Sequence, residues 1–492
     1  MNTGNISPGE QRKRDRMWRP VCHFTPPFNW MNDPCGLVYF HGNYHLFYQH
    51  NPADAVWGSM HWGHAVSSDL LTWQDAPLAL TPNNSEGMAF TGSAVVPSEA
   101  SGGEGWKGES DAVVAIYTGA IQRTTPEDNH QRQCIATSRD GYIWDRGGVV
   151  LDNPGIQNFR DPKVGWYQET GHWFMVLAVE RSIHVYTSRD LRSWKQSDTI
   201  TMDAELPGGV LECPDLFPLQ VINDPGRTEW VLVLHIENAD SADPGAYYTL
   251  GSFDGYRFLK TVGTFLPIDG GHDFYATQSW TNMGPEDERR VWIAWSANPA
   301  YARLQPTSRW VGVLSIPREI SLRCLDGRGL LCQVPVRELM SLRRSSVEPV
   351  QQRFTSSGLT RYYRVEDTLA WEILVEANFC RIILSFGSAG RIIIYRGQRT
   401  FTIDRTDCDM GCFTELVDPV KTSLLHQDYA EKPTTRVFFD RSILECFLDD
   451  GYRTTTDLVF PEAPLQGIEV ATQSYDEVQV FPLEPVMHRD DG

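Results

Sequence analysis

The chain has 492 residues, of which 41% are hydrophobic and 22% are charged, and its formal net charge is −20. A chain of this length exceeds what one hydrophobic core usually organises, which predicts two domains. Such a negative charge repels phosphate backbones and anionic lipid headgroups, so we expect neither a nucleic-acid nor a membrane partner.

The N-terminal stretch MNTGNISPGEQRKRDRMWRP is polar and lacks the apolar run of a secretory signal. The longest apolar runs, such as residues 230–236, are far shorter than the ~20 residues of a membrane span. Ten cysteines are scattered through the sequence, and without an export signal they favour free thiols over disulfides. These patterns predict a soluble, cytoplasmic protein.

No metal motif accompanies the candidate ligands. Cys408 and Cys412 form the closest cysteine pair, and five histidines fall between residues 41 and 64. Neither group has the spacing of a zinc site. We therefore expect no metal and no cofactor.

Short apolar or alternating runs, separated by Gly, Pro, Asn and Asp, predict a chain built mainly of strands. A box S-x-D-x-x-x-[W/F] recurs in chain order at residues 67–73, 138–144, 188–194 and 252–258. A repeat of roughly 50 to 70 residues suits the four-stranded blade of a β-propeller, in which the terminal aromatic would pack between neighbouring blades.

A second rhythm marks where each blade begins: WMNDP at Trp30, FTGS at Phe90, FRDP at Phe159, ECPD at Glu212 and HDFYAT at His272. Five starts predict five blades that end near residue 335. In such a fold the innermost strands converge on the axis.

The texture changes after residue 335, and from about residue 355 alternating strands return without the box. This pattern predicts a separate β-sandwich. The predicted all-β chain comprises a loose or disordered segment (1–18), a five-bladed propeller (19–335), a linker with a possible short helix (336–352) and a β-sandwich (353–492).

Three of the five blade starts carry an acid: Asp33, Asp161 and Glu212. Taken singly, Asp33 and Asp161 can be explained as turn formers beside proline, and Glu212 as a solvated surface acid. All three recur at the same position of the blade, which favours one shared axial pocket. Two acids that meet there could flank a glycosidic bond.

Aromatic residues crowd residues 23–52, where Asp33 is the single acid among eight Phe, Tyr and Trp rings. Trp30, Tyr48, Trp57 and Trp62 could cover the C–H face of a sugar ring while Asn, Gln and His side chains bind its hydroxyls. This composition suits a neutral polyol ligand. Packing between blades is the alternative role for many of these rings.

At these motifs the sequence resembles glycoside hydrolase family 32, the β-fructofuranosidases that include invertases, inulinases and levanases. WMNDPCG resembles the family's sucrose box, FTGS its [FW]-S-G-S element, FRDP its R-D-P element and ECPDL its E-C-P element. FFDRSILECF resembles a stretch of its C-terminal sandwich. The similarity covers residues 19–485, and the propeller and sandwich that it implies agree with the repeat pattern.

The resemblance implies that Asp33 is the nucleophile, Glu212 the general acid/base and Asp161 the stabiliser of the transition state. It implies a fructose subsite lined by Asn32, Gln49, Trp57, Phe90, Thr91, Arg160 and Trp295. Cys35 stands where the family usually has Asn, and Thr91 where Ser is usual. Cys35 could change the hydrogen bonding of Asp33, which leaves the balance between hydrolysis and transfer open.

These roles imply a retaining glycosidase that cleaves terminal β-D-fructofuranosyl residues from sucrose and related fructo-oligosaccharides by double displacement. That mechanism needs one carboxyl group kept ionised by hydrogen bonds and another kept protonated. The alternatives are an inulin- or levan-degrading fructanase, an inverting arabinan- or xylan-cleaving glycosidase, and a carbohydrate-binding propeller without catalysis. Substrate length, exo or endo action, and monomer or homodimer stay open.

Overall fold

The computed structural model describes residues 7–97, 111–121, 130–202, 206–237, 245–261, 265–356, 358–365, 370–408, 417–425, 433–473 and 476–487. Strands dominate them, as predicted. The strands of the first domain are, in chain order, β1 (Asn29–Phe40), β2 (Asn43–Asn51), β3 (His61–Ser67), β4 (Gln74–Leu80), β5 (Met88–Val95), β6 (Val113–Ile121), β7 (His130–Ser138), β8 (Asp145–Leu151), β9 (Phe159–Tyr167), β10 (His172–Val179), β11 (Ser182–Ser188), β12 (Lys195–Thr201), β13 (Val210–Gln220), β14 (Thr228–Glu237), β15 (Ala246–Phe253), β16 (Phe258–Lys260), β17 (Leu266–Pro267), β18 (Tyr275–Ser279), β19 (Arg290–Trp295), β20 (Trp310–Val311), β21 (Arg318–Leu325) and β22 (Arg328–Pro335).

These strands form five sheets within the described residues. Four sheets take consecutive strands, β1–β4, β5–β8, β9–β12 and β13–β16, and the fifth contains β18, β19, β21 and β22. The first strands of the sheets, β1, β5, β9, β13 and β18, contact one another in that order, and β18 also contacts β1. The sheets therefore close into a propeller with these five strands around its axis.

The S-x-D box forms the turn between the third and fourth strand of its sheet. Asp69 accepts hydrogen bonds from the backbone N–H groups of Leu71 (2.9 Å) and Thr72 (2.7 Å), and the aspartates of the other three boxes accept equivalent bonds. The terminal aromatic packs between blades, as predicted. Trp73 stacks on Trp280, which follows β18, with ring centroids 6.4 Å apart.

The predicted loose segment over residues 1–18 is wrong for its described part, because Pro8–Trp18 form helix α1. Trp18 is buried, and its indole N–H donates to the carbonyl of Pro461 in the second domain (2.7 Å). The carboxylate of Asp15 accepts the backbone N–H of Ser308 (3.0 Å). Only these two residues of the helix are buried, so its sequence carries no apolar periodicity that would indicate docking.

The second domain is a β-sandwich, as predicted. Its described strands are β23 (Gln351–Thr355), β24 (Gly358–Arg364), β25 (Ala370–Glu376), β26 (Cys380–Ser385), β27 (Arg391–Arg396), β28 (Thr400–Asp404), β29 (Val420–Leu424), β30 (Thr434–Asp440), β31 (Ile443–Leu448), β32 (Arg453–Leu458), β33 (Gly467–Thr472) and β34 (Glu477–Leu483). Seven of them form one sheet in the order β23-β24-β33-β26-β27-β28-β29, and five form the other in the order β32-β31-β30-β25-β34.

Four short 3-10 helices complete the described secondary structure. They are Ala302–Leu304, Arg337–Leu342, Gly387–Ala389 and Asp449–Gly451. The second lies in the predicted linker, where the sequence indicates a short helix. Among the described residues, no helix has both the length and the apolar character that a membrane crossing requires.

Buried charges join the two domains. The guanidinium of Arg318 donates to Asp269 of the propeller (3.0 Å) and to Glu445 of the sandwich (2.9 Å). Glu445 also contacts His23, whose other ring nitrogen lies 2.8 Å from Asp440. Burial opposes a charge on His23, but hydrogen bonds and charges of the two carboxylates outweigh it and raise its pKa to about 9. Loss of one partner would leave an uncompensated buried charge, so these groups hold the domains together.

Candidate active site

The innermost strands of the propeller are irregular at one level of the axis. The register of β1 against β2 shifts between Met31 and Pro34, and β9 and β13 show equivalent shifts against their neighbours. Such β-bulges turn side chains out of the alternating pattern. Pro34, Pro162 and Pro214 lie at these shifts, where a residue without an N–H is tolerated because the hydrogen-bond ladder is already broken.

Asp33 lies at the bulge of β1, where three donors surround its carboxylate. The hydroxyl of Thr91 donates to Oδ2 (2.6 Å), the amide of Asn32 donates to Oδ1 (3.0 Å), and the thiol of Cys213 lies 3.6 Å from Oδ2. Burial and the charge of Glu212 nevertheless raise the pKa of Asp33 above its ordinary value. The expected hydrogen bonds are present, but they offset the burial only in part.

Asp161 lies at the bulge of β9, in the third blade. Its backbone adopts φ +64, its N–H donates to the hydroxyl of Thr118 (3.0 Å), and its Oδ2 accepts the backbone N–H of Cys213 (2.9 Å). The Cys213 thiol lies 3.6 Å from the same oxygen. One residue of β13 therefore contacts both aspartates. Burial raises the pKa of Asp161 to about 7; the positive charge of Arg160 opposes this rise, and the charges of Glu212 and Asp33 add to it.

Glu212 is bound on both carboxylate oxygens. Its Oε1 accepts hydrogen bonds from Nε (3.1 Å) and Nη2 (2.9 Å) of Arg160, and its Oε2 accepts the hydroxyl of Tyr275 (2.6 Å). Burial and the charge of Glu212 raise the pKa of Tyr275 well above its ordinary value, so the phenol stays a donor. The family resemblance implies that Arg160 belongs to the fructose subsite; Arg160 lines the cavity, and its guanidinium binds Glu212.

A fourth carboxylate, Glu237, lies at the mouth of the site. Its Oε2 is 3.8 Å from Nη2 of Arg160, and its side chain is 48% exposed. The charge of Glu212, together with burial, raises the pKa of Glu237 to about 7. Four acids around Arg160 and Arg303 make the site negative, which suits a reaction in which positive charge develops.

The four acids Asp33, Asp161, Glu212 and Glu237 line one cavity of about 330 Å³. Every residue that the sequence assigns to the site lines it: Asn32, Asp33, Gln49, Trp57, Phe90, Thr91, Arg160, Asp161, Glu212 and Trp295. Acids from three blades therefore meet in one place, although Asp33 and Glu212 are 179 residues apart along the chain.

The aromatic candidates divide between the cavity and the core. Trp30 and Trp57 line the cavity, and Trp30 packs edge-on against Trp295 with centroids 6.0 Å apart. Tyr48 and Trp62 are buried, 2% and 0% exposed, away from the lining. For these two rings, packing is the correct explanation.

Cys35 does not contact Asp33 by any hydrogen bond described for this site. Its thiol is buried among apolar residues that include Phe47, Trp62 and Tyr117, and the amide of Gln49 lies 4.0 Å from it. The thiol that reaches Asp33 belongs instead to Cys213. Any influence of Cys35 on Asp33 is therefore not exerted through a hydrogen bond between them.

Sequence reasoning missed four polar lining residues, Gln131, Glu237, Tyr275 and Arg303, as well as the apolar Ala120, Ile121, Pro299 and Ala302. A signal existed for Tyr275, because HDFYAT opens the fifth blade in phase with the acidic motifs. Glu237 ends the second strand of its blade, and Arg303 lies in the short helix Ala302–Leu304. Nothing in the local pattern marks either residue as inward-facing.

Among the described residues, no group of three or more His, Cys, Asp and Glu side chains has the arrangement of a metal site. Cys408 is buried, and Cys412 lies outside the described residues. The histidines of the first sheet serve packing and hydrogen bonding, as in the contact of 3.0 Å between His45 and His64.

Comparisons with known proteins agree with this geometry. The model of the glycosyl hydrolases family 32 N-terminal domain matches residues 23–335, and that of the family 32 C terminal matches residues 338–482. A levanase of Bacillus subtilis is 38% identical over 96% of this chain and 71% of its own length. A raffinose invertase of Escherichia coli is 34% identical over 95% of this chain and 94% of its own length.

Solved structures show the same architecture. An exo-inulinase of Aspergillus awamori superposes with a TM-score of 0.83 at 28% identity, covering 96% of this chain and 99% of its own. A fructofuranosidase variant of Schwanniomyces occidentalis complexed with fructosylnystose superposes with a TM-score of 0.82 at 25% identity, covering 96% and 98%. These matches confirm the predicted fold class and the predicted resemblance, and the chain belongs to glycoside hydrolase family 32.

Proposed function

We propose that this chain is a β-fructofuranosidase that cleaves terminal β-D-fructofuranosyl residues from sucrose and related fructo-oligosaccharides with retention of configuration. The observation that carries the proposal is the convergence of Asp33, Asp161 and Glu212 in one aromatic-lined cavity. A cavity of about 330 Å³ lies at the small end of the range for ligand sites, which suits one terminal sugar. Relatives named for sucrose and fructan substrates support the same class.

In the first step, protonated Glu212 donates its proton to the glycosidic oxygen while the carboxylate of Asp33 attacks the anomeric carbon C2 of fructose. The bond from C2 to the leaving oxygen breaks, and an ester between fructose and Asp33 forms. Thr91 and Asn32 hold the attacking carboxylate in place through the hydrogen bonds described above.

In the second step, deprotonated Glu212 takes a proton from water, whose oxygen attacks C2 and releases Asp33. Two inversions at C2 give net retention. Asp161, which accepts a hydrogen bond from the backbone N–H of Cys213, contributes negative charge beside the oxocarbenium-like transition state. Its carboxylate can also accept hydrogen bonds from hydroxyls of the fructosyl ring.

Replacement of the two acids tests these roles. Asp33→Asn and Glu212→Gln should each lower kcat for sucrose by several orders of magnitude, roughly the size expected when a nucleophile or general acid is lost, while calorimetry still detects sucrose binding. Asp145→Asn, an exposed acid on the outer strand β8, is the matched control and should behave like the wild type. Near-normal turnover in either active-site variant would contradict the assignment.

The anomeric outcome separates retention from the inverting alternative. Proton NMR of the early product, before mutarotation, should show β-fructofuranose. An initial α-anomer would mean that a water occupies the space between the two acids, as in inverting enzymes.

Polymer hydrolysis is the second candidate function, because a levanase is 38% identical over nearly the whole chain. Comparing kcat/KM for sucrose, inulin and levan decides between the candidates. Incubation with concentrated sucrose then separates hydrolysis from transfer, since equal release of glucose and fructose indicates hydrolysis and excess glucose indicates transfer.

We also propose a cytoplasmic location and a monomer or homodimer. Eight cysteines of the described residues, Cys22, Cys35, Cys134, Cys213, Cys324, Cys332, Cys380 and Cys446, are free thiols, which supports a reducing compartment. Cell fractionation and size-exclusion chromatography with light scattering test the two points.

A further inference from the structure

Residues 269–274, here called the bridging segment, connect the fourth propeller sheet to β18 and pair with the sandwich. The N–H of Gly270 donates to the carbonyl of Thr454 (2.8 Å), and the N–H of Asp273 donates to that of Thr456 (2.9 Å). A Cβ at Gly271 would lie 2.2 Å from the carbonyl oxygen of Thr456. The bridging segment therefore runs along β32 of the sandwich at backbone contact distance.

Buried side chains fix this pairing. His272 Nδ1 lies 2.9 Å from Oδ1 of Asp457 on β32, and Arg405 of the sandwich contacts both residues, at 3.1 Å from His272 and 3.3 Å from Asp457. All three are at least nine-tenths buried. Burial opposes the charge of Asp457, yet the positive charge of Arg405 and the hydrogen bond with His272 lower its pKa to about 2.

Asp273 connects the sandwich to the rim of the cavity. Its Oδ2 accepts the backbone N–H of Leu458 (2.8 Å), and its Oδ1 accepts the hydroxyl of Tyr301 (2.7 Å). Tyr301 directly precedes the short helix Ala302–Leu304, which contributes Ala302 and Arg303 to the cavity lining.

The bridging segment ends where the acid site begins. Tyr275, the first residue of β18, donates to Oε2 of Glu212 at 2.6 Å. Phe274 alone separates Asp273, whose side chain binds the sandwich, from Tyr275, whose side chain binds the acid. A shift of the bridging segment would therefore displace the Tyr275 hydroxyl from Glu212.

We propose that the sandwich positions the general acid: Asp457, through His272 and the bridging segment, holds Tyr275 against Glu212. Asp457, His272 and Asp273 are positioning residues, since none of them lines the cavity. This inference rests on the proposed role of Glu212 as proton donor. The sandwich thereby contributes to protonation of the leaving group, because it positions the residue that holds the general acid.

Two substrates with different leaving groups test the proposal. Sucrose needs a proton on its leaving oxygen, whereas p-nitrophenyl β-D-fructofuranoside releases a stable phenolate without one. Asp457→Asn should lower kcat/KM for sucrose roughly tenfold or more, the size of a lost hydrogen bond to a charged group, and leave kcat/KM for the nitrophenyl substrate close to the wild-type value. A general loss of folded enzyme would lower both values equally.

The matched control is Asp449→Asn, which breaks another buried pair of the sandwich, between Asp449 and Arg396 (2.6 Å), outside the bridging segment. It should change neither kcat/KM. If Asp457→Asn and Asp449→Asn give the same sucrose to nitrophenyl ratio as the wild type, the proposal is overturned.

Two further variants keep the test decisive if Asp457→Asn does not fold. Tyr275→Phe removes only the hydroxyl that donates to Glu212. Asp273→Ala removes the carboxylate that binds Leu458 and Tyr301, and Asp273→Asn is the conservative variant that should restore activity. Both disruptive variants should show the same selective loss on sucrose, and its absence in both overturns the proposal. Glu212→Ala distinguishes failure of the proposed function from failure of the sandwich proposal. If Glu212→Ala does not show the selective loss on sucrose, the proposed role of Glu212 as proton donor is wrong. If Glu212→Ala shows the selective loss but the other variants do not, only the role of the sandwich is refuted.

Discussion

The hydroxyl of Thr91 offers a measurable test of how Asp33, the proposed nucleophile, is held. Thr91→Val keeps the branched shape of the side chain but removes the donor that lies 2.6 Å from Oδ2 of Asp33. Thr91 is 3% exposed, so solvent does not readily replace that donor. A hydrogen bond to an ionised group contributes roughly 1.5–3 kcal/mol, which corresponds to a loss of about 10- to 150-fold in kcat/KM for sucrose.

The pH profile of Thr91→Val gives an independent readout. The lost bond favours the ionised carboxylate, so its removal raises the pKa of Asp33 further and moves the acidic limb of the kcat/KM profile to higher pH. Initial rates of glucose release across the acid and neutral range measure both effects. Thr91→Ser restores the hydroxyl and should recover most of the activity. A valine variant as active as the serine variant, with an unshifted acidic limb, would refute the role of this bond.

Three further predictions concern charge and burial. The folded-state pKa of Glu237 is about 7, above the ordinary value of a glutamate, so ionisation of Glu237 destabilises the fold as the pH rises from that ordinary value to about 7. Glu237→Gln should therefore raise Tm above pH 7 but not in acid. An equal gain in Tm at both pH values would contradict this reasoning. His23, with a pKa of about 9, contributes stability below its ordinary value of about 6.5, worth about 3 kcal/mol, which is lost as the pH rises through 9. Thermal unfolding should therefore show a large deficit for His23→Gln in mild acid and a small one in strong alkali, and a pH-independent deficit would exclude linkage. Burial raises the thiol pKa of Cys35 and Cys213 well above the ordinary value, so mass spectrometry after treatment with a thiol reagent at neutral pH should find both unmodified in the native protein and modified after unfolding. Labelling of either in the native state would contradict the buried site.

The repeat pattern alone was sufficient to predict the architecture. The turn formed by the S-x-D box depends only on neighbouring residues, because Asp69 accepts hydrogen bonds from the N–H groups of Leu71 and Thr72. The local sequence therefore predicts the turn directly. Three of the blade starts are similarly local, since proline and an acid mark the bulges of β1, β9 and β13. Strand alternation without the box likewise indicated the sandwich.

Other features depend on contacts between distant parts of the chain. Helix α1 is polar, and its docking rests on Trp18 meeting Pro461, 443 residues away. Glu237 and Arg303 reach the cavity because the ring of blades closes, and no pattern in their own segments indicates it. The raised pKa of Asp33 follows from burial beside Glu212, a property of the assembled pocket.

The sequence by itself therefore determined the blades, the sandwich and the identity of the three acids, because turn chemistry, strand alternation and motif spacing act over short distances. Only the tertiary structure decided which groups tune those acids and how the sandwich reaches them. Hydrogen bonds, burial and charge depend on distance in space, and in this protein the groups that hold Glu212 come from blades and a domain that are far apart along the chain.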